Sequence, residues 1–260
     1  IFMLCWMIIL IFGLGYAYLF TFISDKLYFL PLYLIGGFLI SLILFAIFIL
    51  IVIWTAPFTK QNNKLKHKII YPLVKFVHTI LKIKIEVIGR ENIPNDTFVV
   101  YSNHKSMLDV TILYQAYHKI LSAIAKNDLV NVPFLSRLMK GLGVVPLDRN
   151  NDREGARNIL EAIKRVKAGN NYLIFPEGGV KSRETEHMVA LRAGAYKLAT
   201  KPKAVISPVS IIGSSLLSQN CPKKGTKITV VIHKPITPEE YQGLSTNELG
   251  RRIANIVNIL

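Results

Sequence analysis

The chain has 260 residues, enough for one domain with a real core and a small appendage. It contains 32 Lys and Arg against 16 Asp and Glu, a formal net charge of +16 at pH 7. Such a charge is compatible with an anionic membrane surface or nucleic acid as partner, or with a basic surface that binds neither. Two isolated cysteines exclude a disulfide framework, and six histidines without ligand spacing predict no metal site.

Two long apolar segments open the chain. Residues 1–23 and 27–54 each exceed the about 20 residues that a helix needs to cross a bilayer. Residues 1–59 hold only two charged side chains, Asp25 and Lys26, which lie between the two segments. We therefore predict a membrane-embedded two-helix hairpin over 1–59. Two crossings are favoured, and a shallow hairpin is the alternative, because the second segment contains a proline and a glycine pair.

A basic stretch follows the second apolar segment and indicates which side of the membrane the end of that segment faces. Lys60, Lys64, Lys66 and Lys68 come directly after that segment. The positive-inside rule places such lysines in the cytoplasm. Residues 60–260, which carry the whole net charge, are therefore predicted to form a domain on the cytoplasmic face of the cell membrane.

This second part of the chain alternates between strand and helix patterns. The segment 65–83 mixes apolar and basic positions and is predicted to be a helix, either interfacial or packed on the core. Beyond it, the alternation predicts an α/β domain with a mostly buried mixed sheet flanked by helices. The predicted strands are 83–88, 97–101, 120–125, 144–147, 172–175, 204–210 and 227–233, and the predicted helices are 106–117, 133–140, 152–168, 189–200 and 246–259.

The end of the second predicted strand carries a histidine and an aspartate five residues apart. On a continuous helix His104 and Asp109 would be rotated about 140° from each other, but they can meet if His104 lies in a loop and the helix starts at Ser106. A carboxylate on one ring nitrogen leaves the other nitrogen free to act as a base. The alternative is structural, because Ser106 and Asp109 also have the spacing of a capping box.

Three further blocks lie near strand ends. Phe175-Pro-Glu177-Gly178-Gly179 ends one strand in a loop, where Glu177 faces a pocket or is simply solvated. Gly143-Val-Val-Pro-Leu-Asp-Arg149 places an arginine where it can hold a phosphate or pair with its neighbour Asp148. The fourth block, Val205-Ile-Ser-Pro-Val209, is equally consistent with a plain buried strand.

In this order the four blocks resemble the glycerolipid acyltransferase family, of the 1-acyl-glycerol-3-phosphate acyltransferase type. That family is recognised by N-H-x4-D, a glycine-to-arginine block, F-P-E-G and a V-x-x-P-V strand, and the resemblance covers roughly residues 83–235. One departure is that Gly179-Val180-Lys181-Ser182-Arg183 follows Gly178, where the family often has Thr-Arg-Ser. The basic group is thereby displaced to Lys181 or Arg183.

The resemblance implies an enzyme that acylates the sn-2 hydroxyl of 1-acyl-glycerol-3-phosphate and forms phosphatidic acid for phospholipid synthesis. His104 would be the base and Asp109 its orienting partner, without a metal or a cofactor. Acyl-CoA or acyl carrier protein would be the donor substrate. The acceptor would be a membrane lipid, bound by groups that the resemblance places around its phosphate: Arg149, Lys126, Glu177, Gly178, Lys181 and Arg183.

Two other functions stay open at this stage. A related acceptor is possible, such as glycerol-3-phosphate, another lysophospholipid or a lyso-aminolipid. The chain can also be a non-catalytic, membrane-tethered module that binds anionic lipid. Nucleic acid is not the expected partner, because no exposed basic strand carries the aromatic side chains that stack on bases.

Overall fold

The chain divides into two compact units, one ending at Phe58 and the other beginning at Thr59. The computed structural model describes residues 2–24, 30–126, 131–147, 152–189 and 191–259.

The first unit contains two apolar helices that pack closely on each other. Helix α1 spans Phe2–Ser24 and helix α2 spans Leu30–Thr55. A Cβ atom added to Gly37 would lie only 2.6 Å from the carbonyl oxygen of Gly13, so two glycines let the backbones approach. Small residues serve this purpose in helix pairs within membranes.

One helical stretch of the described residues, Leu30–Phe58, is long and apolar enough to cross a membrane, judged by length and composition. In α1 the corresponding apolar stretch is shorter, Ile11–Ile23. The predicted second crossing therefore stays a prediction. The predicted tip of the hairpin, with Asp25 and Lys26, lies outside the described residues.

The second unit is a sheet covered by helices, as the alternating pattern predicted. Its strands are β1 Ile83–Ile88, β2 Phe98–Ser102, β3 Ser122–Lys126, β4 Val145–Leu147, β5 Tyr172–Ile174, β6 Val205–Ile212 and β7 Thr226–Ile232. Its helices are α3 Lys64–Ile80, α4 Asp109–Tyr117, α5 Pro133–Gly141, α6 Asp152–Lys167, α7 Ala193–Thr200, α8 Leu217–Asn220, α9 Pro238–Tyr241 and α10 Thr246–Val257.

The described strands form one mixed sheet in the order β1-β7-β6-β2-β5-β3-β4. Strand β2 lies in the middle and is parallel to both of its neighbours, with Tyr101 opposite Ile174 of β5 and Pro208 of β6. Only β6 and β7 pair antiparallel among the described strands. The carboxyl ends of β2, β5 and β6 therefore meet at one edge of the sheet, which is where loops of such folds carry binding sites.

The core has two layers because alternate side chains of each central strand point to opposite faces. Val99 and Tyr101 of β2 pack with α6, α7 and α10 on one face. Phe98 and Val100 pack with α4 on the other face. All five residues of β2 are buried, which explains why this strand appears in the sequence as a continuous apolar run.

Helix α3 was predicted to be either an interfacial helix or a helix packed on the core. Its buried side chains include Ile70, Pro72 and His78, and the helix packs on α4 and β1, as a core helix does. Leu65 and Ile80 are nevertheless more than half exposed, so an apolar surface remains on this helix. The interfacial role of α3 stays a prediction.

Most predicted elements are found within a few residues of the expected bounds. Helix α10 opens with a capping box, in which Ser245 and Glu248 bond reciprocally to each other's backbone amides. Two helices begin later than predicted. Helix α4 starts at Asp109 instead of residue 106, and α7 starts at Ala193 instead of residue 189. The short helices α8 and α9 were not predicted.

Candidate active site

The loop between β2 and α4 places a histidine beside a carboxylate. His104 lies two residues after the end of β2, and its Nδ1 atom is 3.0 Å from Oδ2 of Asp109, the first residue of α4. Because a carboxylate accepts, Nδ1 donates this hydrogen bond, and in a neutral imidazole Nε2 then has a free lone pair. The Asp109 side chain is fully buried, whereas 15% of the His104 side chain is exposed. The imidazole is thus oriented from inside and still reachable from solvent.

Asp109 has two functions that the sequence presented as alternatives. Its Oδ2 atom also accepts hydrogen bonds from the backbone amides of Lys105 and Ser106, each 2.8 Å long. These contacts tie the loop to the first turn of α4, as a capping carboxylate does. The carboxylate therefore fixes the loop backbone and orients the His104 ring with the same oxygen.

The loop after β5 contacts His104 through two residues. The ring of Phe175 stacks on the imidazole, with centroids 4.0 Å apart and an interplanar angle of 12°. Two residues further, Glu177 accepts a hydrogen bond from the backbone amide of His104 through Oε1, at 2.9 Å. Both contacts follow from the parallel pairing of β2 and β5, which brings the two loops to the same edge of the sheet.

A buried ion pair joins the residue after His104 to the loop that follows β5. Nζ of Lys105 is 3.4 Å from Oε2 of Glu177, and both side chains are fully buried. Buried charges persist in proteins when each has a partner. Glu177 is therefore not solvated, and both of its oxygens are used by groups of this chain. These contacts connect the loop after β5 to the loop that carries His104.

Asn103 anchors the same loop to β6. Its side-chain amide donates to the carbonyl oxygens of Glu186 and Ile211 at 2.7 and 2.8 Å, and its Oδ1 atom accepts from the Ile211 amide at 2.8 Å. Glu186 continues the network, because its Oε1 atom accepts from the Ser215 hydroxyl at 2.6 Å. The segment between β5 and α7 is thus fastened to the histidine loop.

Cationic side chains of that segment lie near the site. Nε of Arg183 donates to the carbonyl oxygen of Lys105, at 3.1 Å, so this arginine is adjacent to the histidine loop. Lys181 is exposed. Gly178 adopts a φ of +72°, a conformation that favours glycine, and a Cβ atom there would lie 2.6 Å from Nε of Arg192.

Two predicted phosphate ligands cannot be placed. Arg149 and its neighbour Asp148 lie outside the described residues. Lys126 is the last residue of β3, opposite Leu147 of β4, and the position of its side chain is not described. The backbone pairing brings the end of β3 to the end of β4.

Several contributors were not expected from the sequence. Lys105 lies within the motif that contains His104 and Asp109, but a lysine in a loop normally indicates a solvated residue. Asn103 was noted only as part of the motif, without a role. Glu186 has no recognisable pattern around it, and Arg192 lies in a stretch, residues 191–199, that resembles a small-residue helix of the family but indicates no role for the arginine itself. The contacts that place both residues come from elements distant in sequence.

The arrangement is suited to general base chemistry. Within the described part of the chain, no hydroxyl or thiol side chain hydrogen-bonds to the His104 ring, so a nucleophile would come from a bound substrate. A search of the same residues finds no group of three or more His, Cys, Asp or Glu side chains placed to share a metal ion.

Comparison with known proteins places this site in a family. Residues 84–212 match the family model described as Acyltransferase. A probable 1-acyl-sn-glycerol-3-phosphate acyltransferase of Mycoplasma pneumoniae is 28% identical over 73% of this chain and 76% of its own length. The chloroplastic 1-acyl-sn-glycerol-3-phosphate acyltransferase of Arabidopsis thaliana is 30% identical over 71% of this chain and 55% of its own length.

A solved structure has the same fold. The crystal structure of the 1-acyl-sn-glycerophosphate acyltransferase PlsC from Thermotoga maritima superposes with a TM-score of 0.63, at 28% sequence identity, over 75% of this chain and 77% of that protein. The matched region of the family model contains the histidine loop, the loop after β5 and most of the sheet. The chain therefore belongs to the acyltransferase family, the one that contains these 1-acyl-sn-glycerol-3-phosphate acyltransferases.

Proposed function

We propose that this protein transfers a fatty acyl group from an acyl thioester to the sn-2 hydroxyl of 1-acyl-sn-glycerol-3-phosphate and so forms phosphatidic acid. The observation that carries the proposal is the pair of His104 and Asp109 at a 3.0 Å contact, in a loop with no nucleophilic side chain of its own on the ring. A base without a protein nucleophile suits a reaction in which the substrate alcohol attacks. The identity of the proposed acceptor is inferred from the names of the relatives.

In the proposed mechanism, Nε2 of His104 removes the proton of the sn-2 hydroxyl as its oxygen attacks the thioester carbonyl. Nδ1 remains bonded to Asp109, whose negative charge stabilises the imidazolium that forms. Collapse of the tetrahedral intermediate breaks the carbon–sulfur bond. The imidazolium then returns its proton to the departing thiolate, which leaves as a thiol. Every proton and bond is accounted for without a metal or a further cofactor.

The site around the base keeps the imidazole in position during this cycle. Phe175 supports one face of the ring, and Asp109 fixes its rotation. The Lys105–Glu177 pair and the His104 amide bond hold the backbone, so the ring does not need to reorganise as charge develops. Arg183, which lies against the histidine loop, is a proposed ligand of the acceptor phosphate, together with Lys181, Lys126 and Arg149.

The proposed location is a cell membrane, where the acceptor and the product reside. Helices α1 and α2 would form the embedded hairpin, supported by their apolar composition and by the Gly13–Gly37 contact. The lysines after α2 favour the cytoplasmic face for the second unit. A net charge of +16 adds attraction to anionic headgroups, at roughly 1 kcal/mol for each Lys or Arg near the surface.

The test is an acyl-transfer assay with purified full-length protein in lipid vesicles. Each acceptor is offered with each donor: 1-acyl-glycerol-3-phosphate, glycerol-3-phosphate and lysophosphatidylethanolamine, with acyl-CoA or acyl carrier protein. We expect phosphatidic acid as the main product with at least one donor, and none from the His104→Ala variant. Faster acylation of another acceptor would replace the proposed substrate while keeping the chemistry. Vesicle binding without any acyl transfer would favour a lipid-binding module instead.

A further inference from the structure

Arg192 lies against the glycine loop of the site. The ideal Cβ position of Gly178 is 2.6 Å from Nε of Arg192, 3.0 Å from its Cδ and 3.1 Å from its Cζ. The guanidinium group therefore occupies the space that any other residue at 178 would fill. The backbone fixes this approach, because the Arg192 amide donates to the carbonyl oxygen of Pro176 at 3.1 Å.

The charge of Arg192 is not used within the described part of the chain. Glu177, the acidic group adjacent to Gly178, already receives the His104 amide and Nζ of Lys105 on its two oxygens. No ion pair joins Arg192 to a carboxylate of a described residue. The arginine is also exposed. An exposed guanidinium without a carboxylate partner is available to an anionic ligand.

The surroundings of Arg192 leave space for such a ligand. Arg192 is the N-cap residue of α7, and its side chain makes no capping bond to that helix. The next turn contains Gly194, where an added Cβ would meet no atom within 4 Å. Arg192 directly precedes the first amides of α7, and the positive end of a helix favours negative charge.

We propose that Arg192 binds the phosphate of the acceptor and thereby selects acceptors that carry one. This inference rests on the proposed function, because it names the group of the same site that recognises the substrate. Arg183 would hold the phosphate next to the histidine loop, and Arg192 would hold it next to Gly178. Glycine at 178 is required because only the absence of a Cβ lets the guanidinium lie there.

The test uses the full-length protein and two variants, Arg192→Gln and Lys197→Gln. Lys197 is an exposed cation on the same helix, so its replacement changes the charge of α7 equally without touching the glycine loop. Acyl transfer is measured with 1-acyl-glycerol-3-phosphate and with 1-acyl-glycerol, which lacks the phosphate. Binding of both lipids in mixed micelles is measured separately by calorimetry, so that affinity is known without turnover.

We expect Arg192→Gln to raise the KM for the phosphate-bearing lipid about ten- to hundredfold, as the loss of a charge-assisted hydrogen bond does. The donor KM and the slow rate with 1-acyl-glycerol would stay unchanged, and Arg192→Lys would recover part of the loss. Lys197→Gln would behave as the wild type. Equal effects of the two Gln variants, or a shift in the donor KM alone, would overturn the inference.

Failure of the proposed function can be told apart from failure of this inference. If wild-type protein transfers acyl groups but Arg192→Gln retains wild-type affinity for the phosphate-bearing lipid, only the role of Arg192 is wrong. A second outcome is that the wild-type protein transfers no acyl group but binds 1-acyl-glycerol-3-phosphate more tightly than 1-acyl-glycerol. If the Arg192→Gln variant lacks that preference, only the acyl-transfer function is wrong. Gly178→Ala gives a second measure, since its methyl group must displace Arg192, and we expect it to lower the same lipid preference.

Discussion

Glu177 accepts a hydrogen bond from the backbone amide of His104 across 2.9 Å, although the two residues are 73 positions apart in sequence. The bond joins the loop after β5 to the loop after β2. With Oε2 of the same carboxylate near Nζ of Lys105, it fixes two successive residues of the histidine loop. His104 and its loop are therefore held by three kinds of contact: the Asp109 bond, the Phe175 stack and this buried pair.

Replacement of His104 tests the base directly. We expect His104→Ala to lower kcat by roughly 10²–10⁴-fold, because the proposed proton acceptor for the hydroxyl is removed. The substituted side chain is partly exposed, so the fold should persist. Circular dichroism and vesicle sedimentation check the fold and membrane association. Near-normal turnover by the alanine variant would contradict the mechanism.

Replacement of Asp109 separates its two functions. In Asp109→Asn the amide oxygen can still accept from the backbone of Lys105 and Ser106, so we expect a stability loss of only about 1 kcal/mol, typical of a weakened helix cap. The negative charge beside the imidazolium is lost, and we expect the rate to fall by roughly 10²-fold or more. Rates are compared per folded molecule. A variant that is less stable yet fully active would leave Asp109 with the capping function alone.

The buried pair of Lys105 and Glu177 gives a third prediction. Lys105→Met leaves a fully buried carboxylate without its cation, and removing one member of a buried pair costs roughly 3–5 kcal/mol of stability. Adding Glu177→Gln removes that unpaired charge while an amide oxygen can still accept from His104. The double variant should therefore be more stable than Lys105→Met, as seen by thermal denaturation in detergent. Additive losses would show that the two side chains are not energetically coupled.

The sequence predicts the His104–Asp109 contact better than it predicts the contacts that hold the histidine loop in place. Asn103, His104 and Asp109 fall in one short motif, and their contact could be predicted from a loop followed by a helix start. The helix start itself was wrong by three residues, since Asp109 reaches back to the amides of Lys105 and Ser106 and so fixes a turn before α4. No local pattern contains that information.

Long-range contacts explain the remaining differences. The burial of Lys105 depends on Glu177, which another strand brings to the same edge of the sheet. The position of Arg192 depends on a bond to Pro176 and on the absence of a Cβ at Gly178. The order of the central strands was not predicted, because the apolar pattern of β2 indicates that it is buried on both faces but does not name its neighbours.

Membrane topology is tested by cysteine labelling. In a background with Cys5 and Cys221 replaced by Ser, single cysteines are introduced as Lys26→Cys and Lys60→Cys. If both apolar segments cross the membrane, an impermeant maleimide added outside intact cells should label position 26 and not position 60. Labelling of both positions only after the cells are opened would indicate the shallow hairpin. Labelling of position 60 from outside would contradict the cytoplasmic location of the second unit.

The last prediction concerns stability at mildly acidic pH. Burial lowers the pKa values of three histidines, His67, His78 and His233, below the ordinary value of 6.5. His78 is only 2% exposed and joins α3 to α4 through Nδ1, which lies 2.6 Å from Oε1 of Gln115. Below pH 6.5 the unfolded chain binds protons at these positions before the folded chain does. The free energy of unfolding should therefore be largest above pH 6.5 and decrease as the pH falls, until the folded histidines are also protonated.

Chemical denaturation in detergent at several pH values between 5 and 8 measures this dependence, and His78→Gln is the matched variant. Glutamine cannot take up a proton, so position 78 no longer contributes to the pH dependence of the free energy of unfolding. A polar group nevertheless remains near Gln115. We expect the variant to be less stable than wild type at pH 8, where the neutral histidine fits its site, and the difference to narrow toward pH 5. A difference that is constant over this range would mean that His78 has the same pKa in the folded and unfolded chain, and the acid sensitivity would then have to come from the other two histidines.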